Sequence, residues 1–156
     1  MTAPSWSLLF HSCLVEQLEK LRDASDKAFS ADSASASENA NVKLYAALSK
    51  LIFETVPDDP ARDEYRQGNT MGPEFRHWRR AKIGRRFRLF FRYDSQTKVI
   101  VYAWVNDEKT LRAAGSKNDP YAVFQKMLGC GNPPDDWNAL LRESSKQKIP
   151  LLAKRR

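Results

Sequence analysis

Residues 78–105 read WRRAKIGRRFRLFFRYDSQTKVIVYAWV, and the fold turns on them. Apolar and polar side chains alternate with a period of two, which predicts strands. Trp78 to Ile83 is the first, Gly84 a turn, Arg85 to Tyr93 the second, and Asp94 to Thr97 a hairpin turn. Lys98 to Val105 is apolar on both faces, as an interior strand should be. Sequential strands with short connections predict an antiparallel meander.

Outside this block the periodicity is helical. Leu14, Leu18, Leu21 and Ser25 form one stripe, predicting a helix over 13–29. The small polar run 30–37 reads as a turn, and Ser35 followed by Glu38 reads as a capping box for a second helix over about 38–56. Pro57 and Pro60 should stop that helix. Residues 57–75 then form a long loop of the kind that is usually functional or disordered. Beyond Val105, residues 106–115 read as a short helix or turn. Asp119 as cap and Pro120 at the first position open a helix that Gly129 ends. A last short helix runs through Trp137, Leu140 and Leu141. Segregated helices and strands define an α+β domain, with helices expected on one face of an antiparallel sheet. A single domain over 1–145 and a basic, disordered tail over 146–156 account for all 156 residues.

Charge narrows the function. Residues 1–75 hold 7 basic against 12 acidic residues, and residues 76–156 hold 19 against 7, giving net charges of −5 and +12. A basic half points to a polyanion, most simply nucleic acid. The density peaks at 76–92, where Arg76, Arg79, Arg80, Lys82, Arg85, Arg86, Arg88 and Arg92 occur with no acid. Alternation puts Phe87, Leu89, Phe91 and Tyr93 on one face of the second strand, the expected core. Arg86, Arg88, Phe90 and Arg92 share the other, expected to face solvent. Guanidinium groups bind phosphates, and an exposed Phe90 would stack a base. Lys117 and Tyr121 flank the start of the 119–129 helix, where free N–H groups favour an anion, while Tyr121 reads equally well as a core residue of that helix. Asp107 and Glu108, adjacent after a strand, read as an acid/base pair or, more simply, as a turn cap.

Other classes are disfavoured. His11 and His77 are too few and too far apart for a metal site, and Cys13 and Cys130 have no zinc spacing, so no metal or other cofactor is expected. No run approaches the roughly 20 apolar residues of a membrane span, and the N-terminus has no signal-peptide pattern, which points to the cytoplasm.

The runs WRRAKIGRRFRLFFRYD, VIVYAWVNDEKTLRAAGSKNDPYAVFQKML and GNPPDDW closely resemble YhaV-type toxins of the RelE/ParE superfamily of toxin–antitoxin systems, over about residues 5–145. The resemblance implies a RelE-like fold: an N-terminal helical hairpin on an antiparallel sheet with a C-terminal helix. It implies a metal-independent endoribonuclease acting on mRNA, largely at the ribosome. Attack by the 2′-hydroxyl would leave a 2′,3′-cyclic phosphate. A PrlF-type antitoxin, a swapped-hairpin DNA-binding protein, would be the partner. Arg88 matches the arginine of the RelE strand motif and Tyr121 the tyrosine at the start of the last helix. The basic residue before that tyrosine is Lys117 or Arg112. Arg88 and Arg92 would then hold the phosphate, and Lys117 and Tyr121 would move protons or orient the hydroxyl. Arg79, Arg80, Lys82, Arg85, Arg86, Phe90 and Arg112 would bind RNA. Two other classes remain open at this point: a non-catalytic module that binds RNA, DNA or the ribosome, and a ParE-like toxin with a protein target.

Overall fold

In the computed structural model, which describes residues 5–146, five strands form one mixed sheet. They are β1 (Ser7–His11), β2 (Arg79–Ile83), β3 (Phe87–Asp94), β4 (Val99–Val105) and β5 (Ser144–Ser145), in the order β2-β3-β4-β1-β5. The meander β2-β3-β4 is antiparallel as expected. β1 was not expected. It pairs parallel to β4, with Ser7 opposite Val99, and carries β5 on its outer edge. Five residues between a polar start and a helix are too few to display a period, so β1 is defined by its partner.

The helices are α1 (Ser12–Ala31), α2 (Ala40–Lys50), α3 (Val56–Asp58), α4 (Pro120–Gly129) and α5 (Trp137–Arg142). His11 caps α1, its Nδ1 accepting from the Cys13 N–H at 3.0 Å. The cap of α2 is Asn39 rather than Ser35, with Asn39 Oδ1 accepting from the Asn41 and Val42 N–H groups. Ser35 makes no side-chain cap and only precedes a 3₁₀ turn. Pro57 does not stop the second helix. It has no N–H to give the Phe53 carbonyl, and the chain widens into a π turn over Leu51–Thr55 before continuing as α3. Residues 106–115 form turns, with no helix.

Helices cover both faces of the sheet, in place of the single covered face expected. On one face Leu14 and Leu18 of α1 and Tyr45 and Leu48 of α2 pack on Leu89, Phe91, Ile100 and Tyr102. On the other, Tyr121, Phe124 and Leu128 of α4 and Leu140 of α5 pack on Phe90, Val101, Ala103 and Trp104. A β-bulge makes this possible. Phe90 pairs with Trp104 but Phe91 pairs with Tyr102, so Ala103 is an extra residue in β4. Ala103 and Trp104 therefore both face α4, and the alternation of β4 reverses between them.

Phe90 is consequently fully buried, in contrast to the exposed ring expected. It stacks on Phe124 at 4.3 Å and Trp104 at 6.1 Å, with Tyr121 edge-on at 5.6 Å, and offers no face to a base. The 57–75 loop is ordered by burial: Tyr65 enters the first core and Met71 the second. Residues 147–156, the bulk of the predicted tail, lie outside the described residues. Among the described residues no helix is long and apolar enough to cross a membrane.

Replacing the Phe90 ring should cost about 3–5 kcal/mol, as for other buried aromatics. A urea titration of Phe90→Ala should show that loss; a midpoint equal to wild type would place the ring outside the core.

Candidate active site

The site lies where α4 begins, against the paired ends of β2 and β3. Asp119 caps α4 and is almost fully buried. One of its oxygens accepts from the Tyr121 N–H at 3.0 Å. The other accepts from the Ala113 N–H at 2.8 Å and from the Arg112 guanidinium at 2.5 Å. This one carboxylate sets the first turn of α4 and the loop before it. The base of that loop is laced to β3 by Asn106, whose Oδ1 accepts from the Arg88 N–H at 2.8 Å. Its Nδ2 donates to the carbonyls of Arg86 and Thr110, and the Arg112 N–H also donates to Arg86.

These constraints put Tyr121 under three guanidinium groups. Arg80 Nε donates to its hydroxyl oxygen at 2.7 Å and Arg88 Nε at 3.2 Å. The Arg112 guanidinium lies 4.9 Å from its ring centroid. Arg80 and Arg88 are themselves held, by donating to the carbonyls of Glu64 at 2.6 Å and Phe87 at 2.8 Å. Lys82 sits directly opposite Arg88 across the β2–β3 ladder. Like charges directly opposite on a sheet repel. Asp119 is the only carboxylate that the described residues pair with this group of cations. Two lone pairs of the phenol oxygen are occupied by charged donors, which leaves its proton as its remaining hydrogen-bonding capacity.

Beside Tyr121 opens a shallow groove lined by Arg112, Lys117, Gln125 and Thr70. Lys117 is exposed on its rim. Arg80, Arg88, Arg112, Lys117 and Tyr121 thus come together, although Arg88 is only 6% exposed rather than on a solvent face. Arg85 and Arg86 are exposed in the β2–β3 turn. Arg79 is on the opposite face, over the Tyr93 ring.

Arg92 does not join the cluster. Four residues along β3 separate it from Arg88, about 13 Å at the rise of a strand, with Phe90 between them. Its guanidinium lies over the rings of Trp78 and Trp137 and donates to the Asp135 carbonyl at 2.6 Å. Burial pulls it below the ordinary arginine value, while Asp135 and Asp136 work the other way. The Asp135 carboxylate accepts from the Trp78 indole and pairs with His77. This constellation fastens the segment before α5 to the sheet.

Sequence reading did not reach Asn106 or the 57–75 loop as parts of the site. The loop contributes the Glu64 carbonyl to Arg80 and Thr70 to the groove wall. Its unusual length between the helical hairpin and the meander was the available signal. Asp107 staples a turn: its carboxylate accepts from Gln17 Nε2, the Thr110 hydroxyl and the Lys109 N–H. Burial pushes its carboxyl up, but those hydrogen bonds outweigh it and hold the group below its ordinary value. Among the described residues no cluster of three or more His, Cys, Asp or Glu side chains stands ready to hold a metal ion.

Two measurements check this description. Asp119→Ala removes a cap and a charged hydrogen bond together, so the free energy of unfolding should fall by about 2 kcal/mol or more, with faster amide exchange over 107–118. Unchanged exchange there would mean that the loop is held by other contacts. For Asp107, a folded value below the unfolded one adds stability that is complete above the unfolded carboxylate value, roughly 4. That stability is lost as pH falls through the folded value. Wild type should therefore lose its advantage over Asp107→Asn on acidification, and a constant difference across that range would contradict the turn-stapling role.

A family model described as "Toxin with endonuclease activity, of toxin-antitoxin system" matches residues 8–145. The chain is 40% identical to the "Ribonuclease toxin YhaV" of Escherichia coli (strain K12) over 141 residues, covering 89% of this chain and 92% of that protein. It is 39% identical, with the same coverage, to the "Toxin YhaV" of E. coli O6:H1 (strain CFT073 / ATCC 700928 / UPEC). No solved structure matches. A match across almost all the described residues, and relatives covered nearly end to end, lead to one conclusion: the chain belongs to the YhaV family of toxins with endonuclease activity, the toxin half of a toxin–antitoxin system.

Proposed function

We propose that the chain is an endoribonuclease of mRNA that binds the scissile phosphate in the groove beside Tyr121. The observation that carries this reading is the gathering of Arg80, Arg88 and Arg112 on one phenol, where among the described residues Asp119 is the one carboxylate paired with them. Such a cluster is relieved by an anion, and the charge on phosphate oxygens grows as an attacking oxygen arrives. The 2′-hydroxyl oxygen forms the new bond to phosphorus and the bond to the 5′-oxygen breaks. A 2′,3′-cyclic phosphate and a 5′-hydroxyl result. Arg88, Arg80 and Arg112 stabilise the phosphate oxygens, and Lys82, Arg85 and Arg86 lie along the same edge of the sheet to track the backbone. Arg92 and Phe90 serve the fold.

Two protons must move: one leaves the 2′-hydroxyl and one reaches the departing 5′-oxygen. Tyr121, whose oxygen already accepts two charged N–H groups, is suited to donate. Lys117, exposed on the rim, is the remaining candidate for the proton leaving the 2′-hydroxyl. While the toxin is stored, a PrlF-type antitoxin masks this basic edge. The ribosome presents the mRNA.

Tyr121→Phe keeps the ring and removes the proton. We expect single-turnover cleavage at saturating RNA to fall by roughly 10²–10⁴-fold; the variant also removes the acceptor of Arg80 and Arg88, so RNA affinity is measured separately. The new RNA ends, mapped after induction in cells, should carry 5′-hydroxyls. Wild-type cleavage by Tyr121→Phe would remove the tyrosine from the chemistry, and growth arrest with intact transcripts would overturn the nuclease reading of mRNA. Lys117→Arg tests the other proton. An arginine keeps the charge but does not release its proton in this range. Loss of cleavage with intact binding supports proton transfer through Lys117; near-normal cleavage reduces it to a cation for phosphate.

A further inference from the structure

A second cationic groove lies on the far side of the 57–75 loop. Arg66, Gly68, Arg76 and Arg79 line an opening of roughly 350 Å³. Arg66 and Arg79 are brought together by an isolated antiparallel bridge, which sets two like charges directly opposite each other. Their neighbours orient them. Arg79 is half-buried against the Tyr93 ring, 5.6 Å from its centroid. Arg76 Nε donates to Asn69 Oδ1 at 2.6 Å, which leaves its two terminal nitrogens for the groove. The counter-charge is slight: Asp63 stands 3.9 Å from Arg66 and is 96% exposed. Gly68 has a φ of +64° and no atom near the place a Cβ would occupy, so a ligand can approach its backbone closely.

The position matters as much as the charge. Thr70 lines the Tyr121 groove and Gly68 lines this one. Two residues of chain separate them, at most about 7 Å. Arg79 lies on the sheet face opposite Tyr121, so one strand reaches both grooves by passing around the loop at residues 68–70. The lining contains no apolar side chain to seat a peptide, whereas forked guanidinium groups match phosphate oxygens.

We propose that Arg66, Arg76 and Arg79 form a phosphate subsite for the nucleotides that flank the cleaved bond, on the same RNA strand held at Tyr121. This subsite rests on the nuclease reading above and extends it. It makes affinity depend on the length of the RNA on one side of the cut.

The test uses the free toxin and single-stranded oligonucleotides carrying 2′-O-methyl groups, which bind but cannot undergo 2′-attack. A trinucleotide, with two internucleotide phosphates, fills the Tyr121 groove without passing around the loop; a dodecamer reaches both. Arg66→Ala/Arg76→Ala should bind the dodecamer roughly three- to tenfold more weakly at low salt. Its plot of log affinity against log salt should be flatter by about 0.7 for each phosphate that the variant no longer neutralises. Trinucleotide binding should match wild type. Arg66→Ala alone, a change at an exposed side chain, should show the same trend and guards against damage to the loop through Asn69. An unchanged dodecamer slope overturns the subsite, as does an equal loss on the trinucleotide. Normal RNA binding with weakened antitoxin binding also overturns it, in favour of an acidic protein segment. If wild type cleaves unmodified RNA while the slope is unchanged, only the subsite fails. If wild type binds neither oligonucleotide, the subsite fails; the nuclease reading fails only if transcripts also stay intact after induction in cells.

Discussion

The hydroxyl of Tyr121 is the point on which this molecule depends. Two guanidinium groups from adjacent strands donate to it, and a third lies over its ring. The contact docks the start of α4 onto β2 and β3 and gives one buried and one half-buried cation an acceptor. Buried charge is costly unless it is hydrogen-bonded, so the phenol and the Phe87 carbonyl are what allow Arg88 to be ordered beneath the surface, with the half-buried Arg80 beside it held by the Glu64 carbonyl.

The floor of the site explains why so few charges suffice. Phe90, Trp104 and Phe124 stack beneath Tyr121 and exclude water. Charges above a low-dielectric floor interact more strongly than in bulk water. The bulge at Ala103 is what brings Trp104 into that stack. A protein that holds several cations together with one paired carboxylate is strained electrostatically until an anion arrives.

The long loop between the helical hairpin and the meander also acquires a role. It crosses from the first core, through Tyr65, to the second, through Met71, and so passes over the end of β2. On the way it supplies a carbonyl to Arg80 and forms the ridge between the two cationic grooves. An irregular segment is ordered here because its apolar side chains are buried at both ends, and residues 68–70 between them are exposed.

By itself, the sequence determined the meander, the helical hairpin, α4 with its Asp119 and Pro120 start, and the cationic character of one edge. These follow from periods of two and 3.6, from caps and from local charge, all of which act between near neighbours. The tertiary structure alone decided which faces are covered. Alternation placed Arg88, Phe90 and Arg92 together and apart from the first core, and that sorting is correct. Whether their face meets water depends on α4 and α5, some thirty residues or more downstream, folding back over it. That return buried Phe90, turned Arg88 inward to Tyr121 and gave Arg92 to Trp78 and Trp137. β1 and the π turn at Leu51–Thr55 escaped for a related reason: one is a strand because β4 offers it an edge, and the other widens to accommodate a proline inside a packed helix. Local chemistry names the groups; only long-range packing decides which of them face a substrate.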